Sequence, residues 1–207
     1  MWRLWVLALC AVCLGLAPAA QVILVFGDSL SAGYGLPQGT GWVDLLRQRL
    51  ERDGYPYRVV NASISGDTSI GGRARLPDAL AQHRPAIVVL ELGANDGLRG
   101  QSIADLRDNL RRMIKASQAR GAKVVLVGMR IPPNYGPDYT KKFQDAFLEV
   151  SRQARVPLVP FLLAGMADKR ELFQSDGLHP NVQAQAQLLD NVWHRLQPLL
   201  GRPAAAK

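Results

Sequence analysis

Short apolar runs alternate with longer amphipathic stretches along most of the chain. The runs cover residues 22–26, 57–60, 86–92, 123–129 and 156–161. They are rich in Val, Ile and Leu and show little polar alternation, as strands buried on both faces do. Between them, residues 42–52, 71–82, 103–120 and 139–155 place apolar side chains at helical spacing, and a last such stretch covers 182–200. Five strands alternating with helices predict an α/β fold, with one parallel sheet covered by helices on both faces. Gly121 after the third helix, and Arg84-Pro85 after His83, are helix stops. No linker, repeat or low-complexity segment interrupts the pattern. It therefore predicts one domain over residues 21–200, followed by a disordered tail over 201–207.

The first twenty residues follow a different rule. Met1-Trp2-Arg3 supplies one positive charge, residues 4–16 are almost wholly apolar, and Ala17-Pro18-Ala19-Ala20 is a run of small residues. That is the layout of a secretory signal peptide cut after Ala19 or Ala20, and it is too short for a membrane anchor. It implies a periplasmic or secreted protein. Leu9 before Cys10 and Val12 before Cys13 do not suit lipoprotein processing. Both cysteines of the chain lie in this leader. The mature protein would then have no disulfide, no thiolate nucleophile and no Cys-based metal site.

The formal charge of +8 falls by one, to +7, on loss of Arg3. The densest basic group, Arg107, Arg111, Arg112 and Lys115, shares its helix with Asp105 and Asp108 and reads as a solvated face. No aromatic interleaving accompanies it, so nucleic acid is not an expected partner. The basic balance leaves room for weak contact with anionic membrane surfaces or phosphate-bearing substrates. The oligomeric state is not readable.

Right-handed crossovers bring every loop that follows a strand to one edge of the sheet. Gly27-Asp28-Ser29-Leu30 follows the first strand, Asn61 to Ser69 the second, and Gly93 to Gly97 the third. Asp176-Gly177-Leu178-His179-Pro180 follows the last. Ser29 is the candidate nucleophile and His179 its base. Asp176, three residues earlier, can reach the other ring nitrogen and fix the tautomer. His83 ends a helix and His194 lies within one, so both read as surface or capping residues. Acyl transfer also needs donors aimed at an oxyanion. The Ser29 N–H, the Gly66 N–H and the Asn95 amide are the candidates. The plainer alternatives are a turn glycine at Gly66, a helix cap at Asn95 and an ordinary turn at 176–180. Asn61-Ala62-Ser63 is a glycosylation sequon, set aside because it lies on the active edge.

Gly27-Asp28-Ser29-Leu30, Gly66, Gly93-x-Asn95-Asp96 and Asp176-x-x-His179 resemble the four blocks of the GDSL, or SGNH, hydrolases. The stretches GDSLSAG, NASISGDTS, NDGLRG and Asn134-Tyr135-Gly136 are similar to the bacterial periplasmic thioesterase I/lysophospholipase L1/arylesterase branch. Ala94 departs from it, since that branch has a second Gly there, and Ala94 is expected to restrict the loop carrying Asn95. The resemblance implies a flavodoxin-like three-layer α/β/α sandwich with five parallel strands. It implies a Ser29–His179–Asp176 triad, with Ser29, Gly66 and Asn95 around the oxyanion, and neither cofactor nor metal. The implied substrates are small acyl esters, thioesters and lysophospholipids.

The leading expectation is therefore an exported serine esterase or thioesterase acting on fatty-acyl groups. A carbohydrate deacetylase of the same superfamily, or a lipid-binding protein without catalysis, are the alternatives. Leu98, Ile131 and Tyr135, on loops past strand ends, are the expected walls of an acyl pocket. Gly97 and Gly100 around Leu98 suggest that this loop moves over a bound chain.

Overall fold

Five strands, β1 (Gln21–Gly27), β2 (Tyr57–Asn61), β3 (Ile87–Glu91), β4 (Lys123–Val127) and β5 (Leu158–Val159), form one parallel sheet in the order β2-β1-β3-β4-β5. The computed structural model describes residues 20–203. Apart from Ala20, the signal peptide read over residues 1–20 lies outside the described residues, as does the tail from residue 204. Residues 201–203 are exposed and irregular.

Pleating explains why the strands lack polar alternation. Ile23 and Val25 face one side of the sheet, Leu24 and Phe26 the other, and all four are fully buried. The first side is covered by α2 (Trp42–Arg52) and α7 (Gln185–Leu196), through residues such as Trp42, Leu46, Leu188 and Val192. The second is covered by α3 (Ser69–His83), α5 (Ile103–Ala119) and α6 (Pro137–Ala154). There Phe143 and Phe147 meet edge to face, with ring centroids 5.3 Å apart. The result is the three-layer, flavodoxin-like architecture expected from the sequence.

That strand order has one reversal. The chain steps from β1 outward to β2, then back across β1 to β3, so the loops after β1 and β3 leave the sheet in opposite directions. The crevice between them is where such folds bind ligands. Two short helices sit at this point, α1 (Ser29–Ala32) after β1 and α4 (Ala94–Leu98) after β3. Four and five residues are too few to show a helical period, and the hydrophobic pattern does not reveal them.

Other boundaries differ for local reasons. β5 has two residues rather than six. Pro157 and Pro160 flank it and have no N–H to extend a ladder; the Pro157 and Val159 carbonyls still accept from Leu126 and Gly128. The last helical stretch is divided into a 3-10 turn at Val182–Ala184, α7, and a second turn at Gln197–Leu199 that contains Pro198. α3 starts two residues before its pattern, because the Thr68 side chain caps it.

Phe147 is 1% exposed and closes the core under α6. Phe147→Ala is expected to cost about 3–5 kcal/mol, read from urea unfolding midpoints. A loss below about 1 kcal/mol would show that this core tolerates the cavity by collapse.

Candidate active site

Ser29 is the first residue of α1, directly beyond β1. Asp28 is its N-cap, and the Asp28 Oδ1 accepts the Leu30 N–H at 3.0 Å. Across the crevice, the Asp176–Pro180 turn presents His179. Its Nε2 lies 2.8 Å from Ser29 Oγ and its Nδ1 lies 2.7 Å from Asp176 Oδ2. With the ring proton on Nδ1 facing the carboxylate, Nε2 keeps a lone pair for the Ser29 hydroxyl. The backbone N–H groups of His179 and Leu178 both donate to Asp176 Oδ1. These bonds, and the imidazole beside the carboxylate, hold Asp176 down at about 2, so it stays charged at neutral pH.

The turn is braced from outside. Gln174 N–H donates to the His179 carbonyl at 2.8 Å, and Gln174 Nε2 donates to the Tyr34 carbonyl at 2.8 Å. The Tyr34 ring packs on the imidazole, centroids 4.6 Å apart. Rotation of His179 away from Ser29 is thereby opposed on its ring face.

The candidate oxyanion donors come from three strand ends. Ser29 N–H, in the first turn of α1, has no acceptor within its helix. Asn95 lies in α4, and its Nδ2 donates to Asp28 Oδ2 at 3.1 Å and to the Asp67 carbonyl at 2.9 Å. Both amide hydrogens are thus held by acceptors from the β1 and β2 ends. Gly66 stands in the β2 loop with φ +79°, and its carbonyl accepts from Arg99 at 3.1 Å. An added Cβ there would meet nothing closer than 4.0 Å. A substitution at Gly66 is therefore penalised by left-handed backbone, about 1–2 kcal/mol, and not by crowding.

Gly93, before α4, is constrained by its neighbours as well as by its backbone. Its φ is +123°, and an added Cβ would lie 2.9 Å from Phe147 Cζ. Ala94 follows it as the first residue of α4, with ordinary φ, and packs inward. The expected restriction from Ala94 does not arise, because the unusual backbone is at Gly93.

Arg75, on α3, ties these loops together. Its Nε donates to Asp67 Oδ2 at 2.7 Å, its Nη1 to the Ala62 carbonyl at 2.6 Å, and its Nη2 to the Gly27 carbonyl at 3.2 Å. The guanidinium carbon sits 3.7 Å above the Phe26 ring. One rigid fork thus joins the end of β1 to both sides of the β2 loop. Asp96, the neighbour of Asn95, fixes the third loop by accepting from Ser69 N–H at 2.8 Å and from Ser69 Oγ.

Beneath Ser29 are two buried carboxyls. Asp28 is 0% exposed, and burial raises it to about 6 against the pull of its hydrogen bonds. Glu91, at the end of β3, is 2% exposed, and burial, with Asp28 beside it, pushes it well above the usual carboxylate range. Glu91 Oε2 accepts from Ser31 Oγ at 2.7 Å and from Asp28 N–H at 3.3 Å.

A cavity of about 490 Å³ opens over Ser29, Asn95 and His179. Leu98 and Ile131 line it, together with Phe161, Leu163 and Phe173. Tyr135 does not. Its hydroxyl donates to the Leu98 carbonyl at 2.8 Å and so joins the two loops. Gly97 is not a hinge. It lies inside α4, where an added Cβ would lie 2.6 Å from Phe143 and 2.7 Å from Ile131.

The structure therefore brings Ser29, Asp176 and His179 into one hydrogen-bonded line, with Asn95 lining the same cavity, while Gly66 is not among the residues that line it. His83 and His194 end up elsewhere, on α3 and α7. Tyr34, Asp67, Arg75 and Glu91 escape sequence reasoning. Glu91 had a signal, as the one charged residue in an otherwise apolar strand. Arg75 had none, because it looks like any other basic position on a helix.

The profile of the GDSL-like Lipase/Acylhydrolase family matches residues 25–187. The esterase TesA of Pseudomonas aeruginosa is 54% identical over 182 residues, which span 88% of this chain and 90% of the relative. The thioesterase 1/protease 1/lysophospholipase L1 of Escherichia coli K12 is 41% identical over 184 residues, 89% of this chain and 87% of that one. In three dimensions, the psychrotrophic esterase EstA from Pseudoalteromonas superposes with a TM-score of 0.82 at 42% identity, over 86% of this chain and 97% of that one.

A raised carboxyl makes the folded state hold a proton that the unfolded chain has lost. Glu91 therefore stabilises the fold fully only below its unfolded pKa, and stability falls as pH rises toward its folded value. Glu91→Gln supplies the same acceptor with no proton to lose. Urea unfolding at pH 5 and pH 8 is expected to show that Glu91→Gln gains stability over wild type at the higher pH. An identical pH dependence in the two proteins would show that Glu91 is not held neutral.

Proposed function

The chain belongs to the GDSL-like lipase/acylhydrolase family and is a carboxylic ester hydrolase, and on that premise we propose that it is an exported serine hydrolase of fatty-acyl esters and thioesters. The observation that carries the proposal is the continuous line Asp176–His179–Ser29, with contacts of 2.7 and 2.8 Å. Ser29 Oγ attacks the acyl carbonyl carbon while His179 Nε2 takes its proton. The carbonyl π bond opens to an oxyanion, which faces the N–H groups of Ser29 and Gly66 and the Asn95 amide. For Asn95 to serve, one of its hydrogens must be shared away from Asp28 or the Asp67 carbonyl as charge develops. The oxyanion collapses, the alkoxide or thiolate leaves with the proton from His179, and an acyl ester remains on Ser29. Water, deprotonated by the same nitrogen, reverses the sequence and frees the acid. Asp176 stabilises the imidazolium in both halves.

The acyl preference follows from the cavity. Walls of Leu98, Ile131, Phe161 and Leu163 offer nothing to a sugar hydroxyl and reward hydrocarbon by about 0.8 kcal/mol per buried methylene. That favours medium and long chains over acetyl, and so a fatty-acyl substrate over a carbohydrate acetate. Relatives named as arylesterase, thioesterase and lysophospholipase support several leaving groups on one site. The leader pattern of residues 1–20 supports export, with the periplasm as destination. No helix among the described residues is long and apolar enough to cross a membrane.

Hydrolysis of p-nitrophenyl esters from about two to sixteen carbons tests the proposal, with wild type beside Ser29→Ala and Leu98→Ala. Wild type is expected to prefer chains beyond four carbons. Ser29→Ala should keep its circular dichroism and lose at least about 10³-fold in kcat. Leu98→Ala should shift the preferred length and leave acetyl turnover nearly intact. Activity confined to acetyl esters, or a Ser29→Ala protein with most of its activity, would overturn it.

A further inference from the structure

The turn that carries Asp176 and His179 stands outside the core. Residues 175–178 are all exposed, so side-chain packing does little to place them. The base of the turn is anchored. Leu172 and Phe173 pack against the core on one arm, and Pro180 is buried on the other. Asn181 ties the arms together: its N–H donates to the Leu172 carbonyl at 2.8 Å and its Nδ2 to the Glu171 carbonyl at 2.7 Å. Beyond that come one antiparallel bridge, between Phe173 and Pro180, and the bond from Gln174 N–H to the His179 carbonyl. A hairpin this short is marginal on its own.

Arg170 connects its two ends. The residue begins the 3-10 turn Arg170–Leu172 at the base, and its side chain runs to the tip. Nη1 donates to the Gln174 carbonyl at 2.7 Å and Nη2 to the Ser175 carbonyl at 3.0 Å, the two residues directly before Asp176. The Gln174 carbonyl also accepts from Gly177 N–H at 3.0 Å, which closes the turn around Asp176. After Asp176, the N–H groups of Leu178 and His179 converge on Asp176 Oδ1. The carbonyls that precede Asp176 are thus held by Arg170, and the N–H groups that follow it by Asp176 itself. A planar fork on two carbonyls restrains orientation as well as distance, which a single ammonium cannot do.

We propose that Arg170 is a positioning residue for the catalytic turn: its fork on the Gln174 and Ser175 carbonyls keeps Asp176 and His179 in line with Ser29. The proposal rests on the triad reading. Arg170 does not line the catalytic cavity, so it acts through the placement of the turn. Its loss releases a carbonyl of exposed Ser175 to water, which costs the fold little. The cost falls on the reaction, where a misplacement of about 1 Å is worth about 10²-fold.

The test measures kcat and KM on p-nitrophenyl octanoate, with urea midpoints, for Arg170→Ala, Arg170→Lys, Asp176→Ala and the double variant Arg170→Ala/Asp176→Ala. Arg170→Ala is expected to lose at least about tenfold in kcat, with KM within about twofold because the cavity walls are untouched. Its urea midpoint should stay close to that of wild type. Arg170→Lys keeps the charge but not the fork, and should recover only part of the loss. Added to Asp176→Ala, Arg170→Ala should cost no more than about threefold further, because the turn then has no carboxylate to aim. Wild-type kcat in Arg170→Ala, a loss confined to KM, or full recovery in Arg170→Lys would overturn the proposal. So would losses that multiply through the cycle, or a collapsed midpoint in Arg170→Ala, which would make Arg170 a support of the whole fold. Wild-type activity in Asp176→Ala would instead overturn the triad reading itself.

Discussion

The Asn95 amide is the point at which three strand ends are joined. Its two hydrogens reach Asp28 from β1 and the Asp67 carbonyl from the β2 loop, while Asn95 itself follows β3. A parallel sheet fixes strand ends to within its own ladder, but the loops beyond have no ladder to hold them. Here they are held instead by polar bonds that are partly buried at Asn95 and Arg75 and buried between Asp96 and Ser69. Such bonds cost little when every partner is present and a great deal when one is missing. The geometry around Ser29 therefore depends on a complete network and not on any one residue of it.

Arg75 completes that network from the helix behind. A guanidinium that meets Asp67, Ala62 and Gly27 at once leaves the β2 loop little freedom relative to β1. Its stacking on Phe26 couples the fork to the second core. Asp28 and Glu91 mark the cost of the arrangement. Two carboxyls in a dry floor beneath the nucleophile lower stability at neutral pH. They are retained where their oxygens cap α1, hold Ser31 and receive Asn95. Destabilisation at a site that must be rigid and polar is a common compromise.

Much of this was legible in the sequence. Strand-helix alternation implied a doubly covered parallel sheet, and the right-handed crossover then placed four loops on one edge without further information. The spacing Asp176-x-x-His179 was readable because a three-residue turn is all the chemistry requires. What stayed hidden was longer in range. Arg75 is anonymous on an amphipathic helix, and its role exists only once α3 packs behind Phe26. Tyr135 stands in an apolar loop but turns its hydroxyl back to Leu98, a direction that composition does not encode. Gly97 read as a hinge because glycine permits motion. The structure uses it instead to let α4 approach Phe143.

The most direct measurement of this dependence is a double-mutant cycle on kcat/KM between Arg75→Met and Asn95→Ala, with a medium-chain p-nitrophenyl ester, well below the unfolding temperature of each variant. Asn95→Ala alone should lose about 10²–10³-fold. If Arg75 acts by placing Asn95 and its neighbours, then adding Arg75→Met to Asn95→Ala should cost no more than about threefold further, far less than Arg75→Met costs in wild type. Losses that simply multiply would show that the two residues act independently, and that the polar network does not position the oxyanion donors.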